Sequence, residues 1–414
     1  MKRLLASLEP GRLRAGAAAW LRERIDLGPA LAWAAKKTVP IHRHSWMYLF
    51  GGAALFLFTL QVASGVLLML YYHPTQAEAY ESVETIMAEV PFGWLIRSVH
   101  MWGAHLFIGL VVVHLVAKVV GAAYRKPREL TWVTGLCLLG LVLASGFSGY
   151  LLPWNELSYY ATLVGTQIPG SLPLVGDWLV HFLRGGDQIT GDTITRFYAA
   201  HVLLLPLGYG GLLAVHLTLV QIQGQSLPLR MSPDAVRDRW PFFSEFMPTE
   251  LCLWLVLFGL IATLSVLFPA ETGVKADPLA PAPEGIRPEW YFLFLFQTFK
   301  AVPELVGIPL VGLVGLFLVL LPFLDRRASR EQRRSLWLVA VFALLAGWVV
   351  AFEVMALAGP GRGHPPEAGA GGAERLARSL VSLALLWAVI GFMVYYLWQF
   401  ARENRRIRRL YRRE

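Results

Sequence analysis

Eight stretches of this chain are apolar enough and long enough to cross a membrane as helices, and no other property narrows the possible folds so far. They cover approximately residues 47–70, 96–121, 132–152, 197–221, 249–269, 304–323, 335–357 and 378–399. Each is close to the roughly 20 residues a helix needs to span hydrocarbon. Polar, Pro- and Gly-rich breaks separate them. The composition agrees: at 56% hydrophobic and 16% charged, the chain lacks the polar residues that would coat a soluble domain of 414 residues. The expected fold is therefore all-α, a polytopic transmembrane helical protein of about eight helices.

The formal net charge of +9 is distributed by loop. The N-terminal segment is basic, as are the loop with Arg125, Lys126 and Arg128, the loop with Arg230, Arg237 and Arg239, residues 325–334 and the tail 402–413. The intervening loops are poor in Lys and Arg, and one carries Glu78, Glu81, Glu84 and Glu89. The positive-inside rule then places both termini in the cytoplasm, as an even helix count requires. Basic residues this close to hydrophobic helices read as topology and lipid signals, so no nucleic-acid partner is expected. Residues 1–45 form an amphipathic basic segment expected on the membrane surface, with no cleavable signal peptide. Ala- and Arg-rich usage points to a bacterial inner (cytoplasmic) membrane.

Ionisable groups inside membrane helices are costly and mark function by default. Five of the ten histidines lie in two of the apolar segments: His100, His105 and His114 in the second, His201 and His216 in the fourth. His100 and His114 are 14 residues apart, which returns them to within roughly 40° of one helix face with a rise of about 21 Å. His201 and His216 are 15 apart, an offset of about 60° and a rise of about 22 Å, with Pro206 between them able to bend the helix. The second and fourth segments run in the same direction, so His100 shares a depth with His201 and His114 with His216. Each level offers two imidazoles to one haem iron. Bis-histidine ligation leaves no open iron position, which suits electron transfer rather than oxygen chemistry. His105, about 140° from His100, reads as a packing or hydrogen-bonded histidine.

Any one membrane histidine is equally a polar contact between helices, and a transporter with a histidine proton relay is the competing assignment for the set. Relays have no need of two pairs at nearly equal rises. Gly51 and Gly65 in the first segment, and Gly135 and Gly149 in the third, repeat the 14-residue period. Glycine lets backbones approach a flat macrocycle held in a four-helix bundle. Cys137 and Cys252 lie inside predicted helices and there is no C-x-x-C-H sequence. A disulfide framework, a Cys-rich iron–sulfur or zinc site and a c-type haem are thus excluded.

The segments FGWLIRSVHMWGAH (92–105), KPRELTWVTG (126–135), SGYLLPWNELSYYA (148–161), TRFYAAH (195–201) and RPEWYFLFLFQ (287–297) together resemble the cytochrome b of the quinol:cytochrome c or plastocyanin oxidoreductases, over about residues 38–325. The resemblance implies two non-covalent b haems, with His100 and His201 binding the low-potential one on the outer side and His114 and His216 the high-potential one on the inner side. It implies that Pro288, Glu289, Trp290 and Tyr291 form the quinol-oxidation loop, with Glu289 accepting a proton and Tyr291 positioning or gating the loop. Read alone, that loop is also a Pro-started helix with interfacial aromatics. The segment 149–161, with Pro153 and Trp154, resembles the surface helix that forms the other wall and docks the iron–sulfur partner. Arg97 matches an arginine that pairs with a haem propionate, and Lys118 and Arg128 are the inner counterparts; each is also explicable as an interfacial anchor.

The first half is most like the chloroplast and cyanobacterial form, here fused to the second half and followed by an eighth segment. Leu49 stands where that form links an extra haem through cysteine, so no covalent third haem is expected. For the inner quinone site the resemblance offers Gln221 and Glu250, with Asp26 or Lys37 as further contributors.

The expected domains are the N-terminal segment 1–45, a di-haem four-helix bundle 46–230, the fifth and sixth segments with the quinol-oxidation loop 231–325, and the last two segments with the basic tail 326–414. The implied activity is quinol oxidation outside and quinone reduction inside, coupled to proton translocation. The implied partners are a Rieske iron–sulfur protein, a c-type cytochrome and a second copy of the complex in a homodimer. A di-haem anchor of another redox enzyme shares the histidine pattern but has no reason to contain the 288–291 motif.

Overall fold

The computed structural model describes residues 16, 19, 20, 384 and 391 and, apart from 27, 43, 229–230, 232–235, 237, 283–285 and 327–334, residues 23–358. All of the eighth apolar segment but residues 384 and 391, the basic tail and about half of the N-terminal segment lie outside the described residues.

Among the described residues, six helices are long and apolar enough to cross a membrane: Ser45–Met69, Gly93–Val120, Glu129–Leu151, Gly191–Gln223, Phe242–Leu267 and Glu304–Leu324. They match the first six segments. In chain order the described helices are α1 (Gly28–Lys36), α2 (Leu49–Met69), α3 (Ala79–Ala88), α4 (Gly93–Val120), α5 (Glu129–Leu151), α6 (Glu156–Gly170) and α7 (Gly176–Arg184). They continue with α8 (Gly191–Gln223), α9 (Phe242–Leu267), α10 (Trp290–Ala301), α11 (Glu304–Leu324) and α12 (Leu336–Ala358). The seventh segment corresponds to α12. A two-stranded antiparallel ribbon, β1 (Thr38–Pro40) with β2 (Arg239–Pro241), pairs Val39 with Trp240 and fastens the N-terminal segment to the start of α9.

The spanning helices pack as two antiparallel hairpins. α4 packs chiefly on α2, and α8 chiefly on α5. Between them lies an apolar core built on Leu57, Trp102, Ile108, Leu138, Val142 and Tyr209. α9 joins this core through Ile261. Around the helices the surface is rich in exposed Leu, Val and Phe, as expected of a face that meets lipid rather than water.

Of two further features, one was not foreseen in the sequence and the other was offered there only as an alternative reading. α8 is not regular: Ala200–Leu204 forms a π-turn around His201, just before Pro206. Proline has no N–H to give to the helix ladder, and a π-turn absorbs the mismatch with one extra residue. That extra residue brings the effective separation of His201 and His216 from 15 residues down to 14, the separation of His100 and His114. The match between the two helices thus comes from a wider turn rather than from a bend.

The second feature is α10, whose 12 residues are too few to span a bilayer. It starts at Trp290 with Glu289 as its N-cap and packs on α12.

Connections at the end of the bundle nearer His100 and His201 are tied together by side chains. The segment after α9 is held by α4: Trp102 Nε1 donates to the Phe268 carbonyl at 2.8 Å and Ser98 Oγ accepts from Ala270 N at 2.9 Å. Further on, Asn155 Nδ2 donates to the Thr272 carbonyl at 2.7 Å and Tyr80 Oη to that of Gly273 at 2.8 Å. Lys275 pairs with Glu81 of α3. This lacing positions the chain that leads on to Glu289.

Candidate functional site

Each of the four paired histidines lies against one of the four glycines. A Cβ built on Gly65 would meet His100 Cε1 at 3.3 Å, one on Gly149 would meet His201 Cε1 at 2.5 Å, one on Gly135 would meet His216 Cε1 at 3.3 Å, and one on Gly51 would meet His114 Cε1 at 3.5 Å. The glycines thus leave room on the neighbouring helix for each imidazole ring.

The residue before each glycine adds a second fixture at three of the four sites. Ser64 Oγ lies 2.9 Å from His100 Nδ1, Thr134 Oγ1 lies 2.9 Å from His216 Nδ1 and Ser148 Oγ lies 3.2 Å from His201 Nδ1. Each hydroxyl donates its own proton one turn back, as Ser64 does to Leu60 O at 2.7 Å, Thr134 to Leu130 O at 2.9 Å and Ser148 to Ser145 O at 3.2 Å. It is therefore left to accept from the ring. His201 Nδ1 also reaches the Ser145 carbonyl at 3.0 Å, and a carbonyl only accepts. This assigns the proton to Nδ1 and leaves the Nε2 lone pair free for a metal. The Ser/Thr-Gly dipeptides were a legible signal that sequence reasoning passed over. At the fourth site Phe50 precedes Gly51, and the buried His114 Nδ1 has no hydrogen-bond partner.

The outer pair fits an axially ligated metal in its spacing. The His100 and His201 ring centroids are 6.2 Å apart, and two metal–nitrogen bonds of about 2 Å with the half-rings behind them span roughly 6 Å. At the inner level His114 and His216 are within electrostatic reach of each other and of Lys118. Buried donors without partners accumulate at the inner end: Arg125 Nη1 and Arg128 Nε. Cations buried this way favour an anionic group beside them. The residues present thus fit a macrocycle with carboxylate arms, and no cluster of three or more His, Cys, Asp or Glu suited to another metal occurs among the described residues.

A cavity of about 400 Å³, within the usual size of ligand sites, opens at the outer end. Its lining brings together His100, His201, Arg97, His105, Glu289 and Tyr291. Leu157 and Ser158 of α6 contribute on the side expected for the second wall. Arg97 uses two of its donors on the backbone, Nη1 to Ala270 O at 3.2 Å and Nη2 to Glu271 O at 2.8 Å. Pro288 precedes the helix, and Trp290 Nε1 donates to His105 Nδ1 at 3.0 Å.

The inner residues suggested by the sequence are dispersed. Gln221 is exposed, whereas Glu250 lies against Gly52, where an added Cβ would meet Glu250 Oε1 at 1.9 Å. Lys37 sits over the Phe242 ring at 3.9 Å and Asp26 accepts from Gly28 N at 2.9 Å. Arg128 Nη2 donates to the Gln223 carbonyl at 3.0 Å, capping the C-terminus of α8, where a cation complements the helix dipole. Lys118 instead lines a small pocket with His42, His44 and Tyr48. Burial and the neighbouring His44 push the His42 pKa down. Leu49 packs among Val39, Tyr48 and Phe246.

A multi-pass helical membrane protein with paired histidines between two hairpins is a redox subunit in form, and comparison with known proteins gives the family. Residues 35–224 match the family model "Cytochrome b/b6/petB" and residues 275–369 match "Cytochrome b(C-terminal)/b6/petD". The chain is 44% identical over 339 residues to a cytochrome bc complex cytochrome b subunit of Chlorobaculum thiosulfatiphilum, covering 80% of this chain and 79% of that one. It is 40% identical over 210 residues to cytochrome b6 of Synechococcus sp. (strain JA-3-3Ab), 51% of this chain and 97% of the relative. Among solved structures it is similar to a chain of a hyperthermophilic respiratory Complex III, with a TM-score of 0.71, 29% identity and coverage of 92% of this chain and 99% of that one. The chain belongs to the cytochrome b family of cytochrome bc complexes. It is an oxidoreductase subunit, and the family implies haem b.

Proposed function

We propose that the outer cavity oxidises quinol and that the two histidine pairs hold two b haems, His100 with His201 and His114 with His216. The observation that carries this reading is the shared lining: the outer pair and the Glu289 side chain open onto one cavity. Oxidising a quinol releases two electrons and two protons. Electron acceptor and proton acceptor therefore belong on the walls of the same space. The glycines seat all four imidazoles, and the hydroxyls hold three of them with Nε2 available. Bound there, the haems supply one-electron carriers between the outer cavity and the inner side, where quinone is reduced.

Glu289, 13% exposed, takes one quinol proton and passes it outward. Tyr291 and Gly146 lie in contact at the same wall, so that Tyr291 limits the room for the ring. Arg97 holds the segment 270–271 that forms the rim. The other electron leaves to a Rieske iron–sulfur protein and then a c-type cytochrome, for which this chain has no ligands. We place the complex as a homodimer in a bacterial inner membrane, both termini cytoplasmic, with 46–230 as the di-haem bundle and 231–325 as the quinol wall.

The test is a redox-titrated visible spectrum with pyridine haemochrome quantification on the purified complex and its single His→Ala variants. Two b haems per chain, the outer one lost from His100→Ala or His201→Ala and the inner one from His114→Ala or His216→Ala, is the expected result. Losses in other pairings would overturn the ligand assignment. Glu289→Gln should slow quinol oxidation by about 10²-fold, the lower range for a lost acid–base group, with both haems retained.

A further inference from the structure

His105 is buried, 4% exposed, and its side chain belongs to neither histidine pair. It stands on α4 five residues beyond His100, and about 140° around the helix it faces α10 instead of the gap between the hairpins. Its surroundings there are the Trp102 and Tyr291 rings, with centroids at 5.7 and 6.0 Å, the Trp290 indole and the Glu289 carboxylate.

The indole fixes the chemistry of the ring. Trp290 Nε1–H is only a donor, so His105 Nδ1 at 3.0 Å must offer its lone pair. A neutral imidazole with Nδ1 unprotonated carries its proton on Nε2. That atom faces Glu289 Oε2 at 3.8 Å, a gap that a small rotation of the glutamate side chain closes to a hydrogen bond. Both groups line the cavity. A carboxylate that is to take a proton from quinol must point at the bound ring, and a donor beside it can hold it there.

We propose that His105 is a positioning residue of quinol oxidation: locked by Trp290 into the Nε2–H tautomer, it holds the Glu289 carboxylate aimed into the cavity. The arrangement is an acceptor oriented by a neighbour that is itself oriented by a third group. Because Nε2 already bears the proton, His105 does not compete with Glu289 for that of the quinol. The inference rests on the reading of Glu289 as proton acceptor.

The experiment measures kcat and KM for quinol oxidation by the purified complex, with haem content as the control for assembly. His105→Leu, which keeps bulk but removes the donor, should lower kcat about tenfold with KM within about twofold, the loss expected for one hydrogen bond to a charged group. His105→Gln, whose amide restores a donor, should recover most of that loss. In a Glu289→Gln background, His105→Leu should cause no further loss, because the two act as one unit. A wild-type kcat in His105→Leu, or losses that multiply in the double variant, would overturn the proposal.

A fast Glu289→Gln variant would remove the underlying reading of Glu289 instead, so the two failures are distinguishable. Should His105→Leu fail to retain haem, Trp290→Phe tests the same chain of contacts. Removing the indole donor frees the tautomer and should lower kcat several-fold; an unchanged kcat would count against the lock.

Discussion

Gly149 and Gly51 occupy equivalent places in the pattern but tolerate very different changes. A methyl on Gly149 would stand 2.5 Å from His201 Cε1 and about as close to its nitrogens, whereas on Gly51 the distance to His114 is 3.5 Å, an ordinary contact. Gly149→Ala should therefore push His201 off its position and abolish the outer haem signal, while Gly51→Ala should retain the inner one; optical redox titration separates the two bands. Thr134→Val removes the hydroxyl acceptor for His216 Nδ1–H and leaves only the Thr131 backbone contact. A ligand whose N–H is no longer held becomes a weaker electron donor, so the inner haem's midpoint potential should rise. An unchanged potential would reduce that hydroxyl to packing.

At this scale the sequence was informative about the histidines and glycines because period alone reveals them. It was silent on which group each glycine faces, since that depends on the approach of two helices. His105 was read as a packing or hydrogen-bonded residue, and the second alternative describes its bond with Trp290. Its nearness to Glu289 joins positions 185 and 184 residues apart along the chain and could not be read from either segment alone.

Among the elements, the π-turn Ala200–Leu204 gives the most direct test. If it is the device that makes a 15-residue spacing equivalent to 14, deleting one residue from it should restore a regular helix and leave the histidines aligned. Deletion of Leu203, which is exposed, is expected to preserve both haems. Deletion of Val111 between His100 and His114 rotates one ligand by about 100° and should lose one. Equal loss from both deletions would reject the explanation. Apolar length made six spanning helices and α12 legible, whereas α10 was offered only as the alternative reading of the quinol-oxidation loop. Its run of aromatics resembles a membrane segment in composition, and only its 12 residues, closed by Pro303 two residues after its end, set it apart.

For the whole molecule, the outer surface is held by contacts between loops distant in sequence. Most are neutral hydrogen bonds, and one is the Lys275–Glu81 pair. The Lys275 ammonium holds the Glu81 carboxyl below its ordinary value. A carboxyl depressed in the folded state contributes stability above its unfolded pKa and loses it as pH falls through the folded one. Both side chains are about half exposed, 46% and 47%, so the contribution is under about 1 kcal/mol. Acidification of the outer side should therefore leave quinol oxidation by Lys275→Met close to that of the parent chain until the carboxylate range is reached. A large difference near neutral pH would show that this pair does more than fasten a loop.

The two hairpins meet through the apolar core around Leu57, Trp102, Leu138 and Tyr209 and, beside it, through paired imidazoles. Such a bundle sets polar rings where most membrane helices bring apolar side chains together. On the proposed reading, the prosthetic groups bind those rings and become part of the core. Cofactor delivery then becomes the last step of folding, and a newly inserted chain that receives no haem is a substrate for the membrane's proteases rather than an idle enzyme.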